Sequence, residues 1–251
     1  MPHASRSDRD VHSPGAPAGT ALGDVNSSSA HAHERLRRAV VRLELPPGAA
    51  VSEQQLAARF GLSKAAVRAA LARLRAAGLL LAEPRRGHVV APLTLRDVSD
   101  VYALRLLLEP PAAAAATERL DGATIARLRE SVARSVHVVD DPASIDRFLD
   151  ANRAVHVSVA GAAGNRRLAA VVERLLDDSE RAIGIALRAG AAGRGLRVRD
   201  EHEALLAALA ARDAHGAERV MRAAIERFRD ELLATLRDSD AVQDVGLTSA
   251  G

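Results

Sequence analysis

Between residues 52 and 78 the apolar positions recur every three to four residues and are broken once, by glycine. Ser52 with Gln55 three positions on reads as a capping box opening a short helix through Phe60, with Leu56 and Phe60 facing inward. Gly61 makes the turn. Ser63 caps a second helix whose Val67, Leu71 and Leu74 share a face, and Gly78 ends it as the residue after the C-cap. Two short apolar runs, Leu79 to Ala82 and His88 to Ala91, then flank Pro84-Arg85-Arg86-Gly87 and predict a hairpin with a basic tip. From Thr94 onward a helical period predominates. It predicts helices over 94–119, 121–139, 142–163, 165–190, 196–212 and 214–238. Pro110-Pro111 should kink or divide the first, because proline removes a backbone donor and crowds the preceding turn. The glycine-rich stretch from Gly190 to Gly195 lacks the strand and lysine of a phosphate loop and reads as a connector.

Composition removes several alternatives. The chain of 251 residues has length for two small domains. It contains no cysteine, so disulfides, thiolate nucleophiles and cysteine zinc fingers are excluded. No apolar run approaches the roughly 18 residues of a membrane helix. Residues 1–30 are rich in Ser, Pro, Gly and Ala and read as a disordered tail without a signal-peptide core; 239–251 read as a second tail. Net charge is only +3, so local arginine clusters say more about a polyanionic partner than the total does. Aromatic residues make up 2%, too few for a base-stacking platform.

Helix, tight turn, helix and basic hairpin, in that order, describe a winged helix-turn-helix. In such a domain the second helix presents its N-terminal residues to base edges in the DNA major groove. Those residues here are Ser63, Lys64, Ala65 and Arg68. Lys64 and Arg68 are four apart and share the face opposite Val67 and Leu71, which directs a cationic side outward. Arg85, Arg86 and Gly87, with His88 next, suit close approach to phosphates. Helix pairs with solvated arginines also occur in compact domains that bind nothing, and only the hairpin's position after the pair separates the two readings.

Residues 36–92 resemble the DNA-binding domain of the GntR family of bacterial transcription regulators. The resemblance rests on Pro47-Gly48, Ser52-Glu53, Leu56-Ala57, Gly61-Leu62-Ser63, Val67-Arg68, Ala70-Leu71, Leu74, Gly78-Leu79 and Arg86-Gly87. It implies that Lys64 and Arg68 take the places of recognition-helix arginines and that Gln54 stands where some members use arginine. Lysine lacks arginine's bidentate fork, so position 64 departs from the family's pattern of base recognition.

In the helical part, polar residues on apolar faces carry the chemistry. Asn152 and His156 share a face with Phe148, Leu149 and Val159, and His202 shares one with Leu205, Leu206 and Leu209, so all three should point inward. Converging imidazoles suit a metal site; hydrogen-bonded core histidines are the plainer reading. Residues 94–236 are similar to the FCD ligand-binding domain of the FadR-type branch, through Tyr102, Arg105 and Glu109, Asn152 and His156, Ala163-Gly164-Asn165, Glu201-His202, and Asp213 to Met221. This resemblance implies a divalent metal such as zinc, held by Asn152, His156, His202 and a fourth ligand, with the metal helping to hold a carboxylate effector. The fourth place falls on Ala224, which has no donor atom. A metal-free pocket, in which Arg105, Asn152, His156 and His202 meet an anionic effector directly, is the alternative. Arg105 can instead pair with Glu109 one turn on.

These readings imply a mainly α protein. They place a DNA-binding domain of three helices and a small β-hairpin at 31–92, and an all-α effector-binding and dimerisation bundle of six to seven helices at 93–238. The implied function is a cytoplasmic, ligand-responsive regulator, expected to be a repressor and not an enzyme. As a homodimer it would bind palindromic double-stranded operator DNA and release or grip it when a small organic acid occupies the bundle. A sequence-indifferent DNA-binding protein and a metal-dependent hydrolase are the competing classes.

Overall fold

The computed structural model describes residues 21–83, 87–135, 141–188 and 195–238, and contains nine helices and three short strands among them. Helix α1 (Ala21–Val41) leads into β1 (Ala50–Val51), α2 (Glu53–Phe60), α3 (Lys64–Ala76), β2 (Leu80–Glu83) and β3 (Gly87–Val90). Helix begins at Ala21, inside the stretch expected to be tail, so the boundary at residue 30 cuts through α1. The hairpin is part of a larger sheet: β1 pairs antiparallel with β3, giving the order β1-β3-β2. Pro84, Arg85 and Arg86, at the hairpin's tip, lie outside the described residues.

Local chemistry sets the angle of the helix pair. The Ser52 side chain accepts from the Gln55 amide at 3.2 Å. Its hydroxyl donates to the Gln55 side chain at 2.9 Å, so the reciprocal contact is side chain to side chain where a capping box would use the backbone. Gly61 closes α2 at φ +64°, and Ser63 caps α3 through the Ala66 amide. At the far end the Gly78 amide donates to the Arg75 carbonyl and the Leu79 amide to the Leu74 carbonyl. With Gly78 at φ +81° this is a Schellman motif, and Leu74 and Leu79 are both buried beneath it. Val67, Leu71 and Leu74 pack on Leu36 and Val40 of α1 to form the core of the first domain.

The second domain is wholly helical among the described residues: α4 (Leu95–Ala116), α5 (Gly122–Arg134), α6 (Pro142–Ala162), α7 (Arg166–Arg188), α8 (Gly195–Ala210) and α9 (Ala214–Asp238). The six expected helices are present, each shortened at one or both ends except the last. Residues 136–140 and 189–194, including most of the glycine-rich connector, lie outside the description. Pro110-Pro111 does not divide α4. The carbonyls of Leu106 and Leu107 lose their helical donors, but Arg105 and Glu109 before the step and Ala112, Ala113 and Ala116 after it are buried against neighbouring helices. Those anchors hold the axis through the step. Helix α4 runs along α9 and touches α6 and α7, which places its inner face on the cavity described below.

Candidate functional site

Two surfaces concentrate the chemistry. On the first domain, Ser63, Lys64, Ala65 and Arg68 are exposed at the start of α3, and Gln54 is exposed on α2. Lys64 makes no ion pair among the described residues. Arg68 does: its Nε donates to Glu53 Oε1 at 3.0 Å and its Nη2 to Oε2 at 2.9 Å. This contact holds the Glu53 carboxyl below its usual range and leaves Nη1 of Arg68 as the free edge. Spacing alone did not reveal the clamp, although Ser52-Glu53 belongs to the motif that carried the family resemblance. Gly87 and His88 sit in β3, opposite Glu83 and Ala82. His88 is half-buried with Nδ1 unpartnered, so its ring lies against the sheet.

The second surface is a narrow cavity of about 30 Å³ in the bundle, lined by Tyr102 and Arg105 (α4), Asn152 and His156 (α6), Glu201 and His202 (α8), and Ala224 and Phe228 (α9), with aliphatic residues between them. All four predicted effector residues meet here. Arg105 is buried; its Nε donates to Glu109 Oε1 at 2.5 Å, its Nη1 to Ser179 Oγ at 3.4 Å, and its Nη2 lies 3.2 and 3.3 Å from the two ring nitrogens of His156. Glu109 Oε2 accepts from His156 Nδ1 in a short contact. Burial alone would raise the Glu109 carboxyl, but the charges of Arg105 and His156 overcome it and hold it down to about 2. Glu109 thus holds the His156 ring at Nδ1, and the ring's other nitrogen faces Arg105.

His202 stands edge-on to His156, with ring centroids 5.7 Å apart. Burial pushes its pKa down to about 3, with His156 and Arg105 adding to the effect, and the ring is neutral. Tyr102 stacks on Phe228. The Tyr102 hydroxyl and Asn152 Nδ2 are buried donors without partners. Glu201 is held by Arg227, which also pairs with Glu231.

A carboxylate, Glu109, accompanies the inward histidines from another helix, but it is committed to Arg105 and His156. The set does not fit the implied metal. No three His, Cys, Asp or Glu side chains among the described residues converge on one point. Both nitrogens of His156 are engaged, Asn152 is a neutral amide, and Ala224 lines the wall without a donor, which leaves His202 as the one uncommitted imidazole.

A winged helix joined to a helical bundle with a polar-lined cavity defines a DNA-binding transcription regulator. The comparisons with known proteins agree. Residues 28–90 match the model of the bacterial regulatory proteins of the gntR family, and residues 100–227 match the FCD domain. The chain belongs to the GntR family and carries an FCD domain. The HTH-type regulator YdhC of Bacillus subtilis is 26% identical over 58% of this chain, and BphR of Paraburkholderia xenovorans 27% identical over 82% of this chain and 85% of its own length. The chain spans 65% of YdhC and 42% of a Streptomyces ambofaciens regulator that it also matches, under two thirds of either. The E. coli McbR/YncC structure superposes with a TM-score of 0.72 at 21% identity, covering 82% of this chain and 97% of that one, a likeness of fold. The relatives are transcription regulators and not enzymes. No helix among the described residues is long and apolar enough to cross a membrane.

Proposed function

We propose that the chain is a ligand-responsive repressor that binds palindromic operator DNA as a homodimer in the cytoplasm and takes a small carboxylate-bearing effector into the bundle without a bound metal. The observation that carries the effector reading is the pair of unpartnered donors in the cavity, Tyr102 hydroxyl and Asn152 Nδ2, beside the Arg105 guanidinium. Each buried donor without an acceptor costs about 1–3 kcal/mol, and an acceptor-bearing ligand removes that cost. Aliphatic walls formed by Ile183, Leu205 and Ile225 favour an acid with an apolar body.

Lys64 and the free edge of Arg68 read base edges, while Gly87 and the adjoining arginines approach phosphates. Dimerisation is supported by the outer face of α4, where Leu107 is 70% and Leu104 45% exposed. Arg96 lies as far before Leu107 as Glu118 lies after it. Antiparallel two-fold pairing centred on Leu107 therefore sets Arg96 of one protomer against Glu118 of the partner subunit.

The test is a thermal-shift series with hydroxy acids, sugar acids and aromatic acids, with and without chelator. The reading expects at least one acid to raise Tm in a chelator-insensitive manner, and expects Asn152→Leu to abolish the rise. A shift that needs added zinc would return the site to metal binding, and no shift with any acid would remove the carboxylate reading.

A further inference from the structure

Helix α7 carries five consecutive polar residues, Asp177-Asp178-Ser179-Glu180-Arg181, in its middle. Four are buried and Asp178 is half-buried. Asp177 accepts from Arg37 of α1 at 2.5 Å and from Arg153 of α6 at 2.9 Å. Glu180, 1% exposed, meets Arg153 at 3.0 Å and Arg42, the residue after α1, at 3.4 Å, and Arg42 continues to Asp150 at 2.5 Å. Arg181, also 1% exposed, donates to the Ala91 carbonyl in the segment joining the two domains and pairs with Asp178 at 3.0 Å. Ser179 receives Arg105 Nη1 from the cavity and donates to the Leu175 carbonyl at 2.9 Å.

We infer that Ser179 and Glu180 are a relay that positions α1, and with it the winged helix, according to whether the Arg105 cavity is occupied. The inference rests on the reading of that cavity as the effector site. A buried carboxylate separated from its guanidinium is strongly disfavoured, so α1 follows any displacement of Glu180 through Arg42. The 3.4 Å contact from Arg105 to Ser179 is a long, uncharged-acceptor hydrogen bond, and it is the one a ligand on Arg105 would exchange. Ser179 and Glu180 are adjacent on one rigid helix, so a change at the first moves the second. Buried charge thus ties the cavity to the first domain by discrete pairings, which switch more sharply than an apolar contact can.

The test uses the full chain and needs no effector. Amide hydrogen exchange is followed in Arg105→Met and in the milder Arg105→Lys, which keeps the charge but loses the fork, each alone and with Ser179→Ala. The relay predicts about tenfold faster exchange over residues 35–42, at the end of α1 and just beyond it, when Arg105 is changed, and little further change from Arg105 substitution once Ser179 is alanine. Faster exchange confined to α4, α6, α8 and α9, or an α1 response that persists unchanged in Ser179→Ala, overturns the relay. If Arg105→Met does not fold, Arg105→Lys decides. Tm shifts of the unsubstituted chain with organic acids are read separately, so loss of the effector reading and loss of the relay give different results.

Discussion

His202 is the side chain whose environment has moved its chemistry furthest toward a measurable outcome. Its folded pKa of about 3 lies below the ordinary 6.5, so the neutral ring contributes stability that is complete above pH 6.5 and is lost as pH falls through the window from 6.5 toward 3. Glu109, depressed to about 2, adds a second loss that begins only below about 4.5. Between pH 7 and pH 5 the urea unfolding free energy should fall by about 2 kcal/mol from His202 alone, at about 1.4 kcal/mol per pH unit below 6.5. His202→Leu should flatten that interval, and an unchanged slope in the variant would place the acid sensitivity elsewhere. At the DNA face, Glu53 restrains Arg68. Glu53→Gln should strengthen binding to arbitrary duplex and steepen its salt dependence by about one unit, while narrowing the preference for the operator over scrambled DNA. Equilibrium anisotropy at several salt concentrations checks both.

At the scale of elements, the caps and glycines were legible because their chemistry is local. Ser63 and Gly78 took the predicted places, and their removal has calculable effects. Ser63→Ala should cost about 1 kcal/mol by exposing the Ala66 amide. Gly78→Ala should cost about as much, since φ +81° strains any Cβ although space there is open. Denaturant midpoints for the two variants test these values. The inward placement of Asn152, His156 and His202 was equally legible from helical spacing. Their partners were not, because Glu109 meets His156 across 47 positions of sequence and on another helix. The polar run of α7 was missed for a related reason: consecutive charges read as a solvated face. One signal was present, since Glu180 lies on a stripe between Leu176 and Ile183. The undivided α4 shows tertiary anchoring on both sides of Pro110-Pro111 overriding a local rule.

For the whole molecule, the sequence resembled a family, and the family's arrangement is present, but the junction between its domains came only from the structure. Arg37, Arg42 and Arg181 fasten the winged helix to the bundle by ion pairs and a backbone contact. The dimer proposed for α4 should separate when Leu107 becomes charged. Leu107→Glu places two like charges at the two-fold axis and should shift the protein to a monomer in sedimentation velocity, whereas an unchanged dimer would assign the interface to another face. The central claim, that α3 reads a specific operator, is tested most directly by measuring the affinity of the purified chain for a labelled duplex from its own promoter region. A scrambled duplex of the same composition and the Lys64→Ala variant are measured beside it at about 150 mM salt. The account predicts at least about a thousandfold preference for the promoter duplex, reduced by about tenfold or more in Lys64→Ala. Equal affinity for both duplexes, unchanged by the substitution, would contradict it.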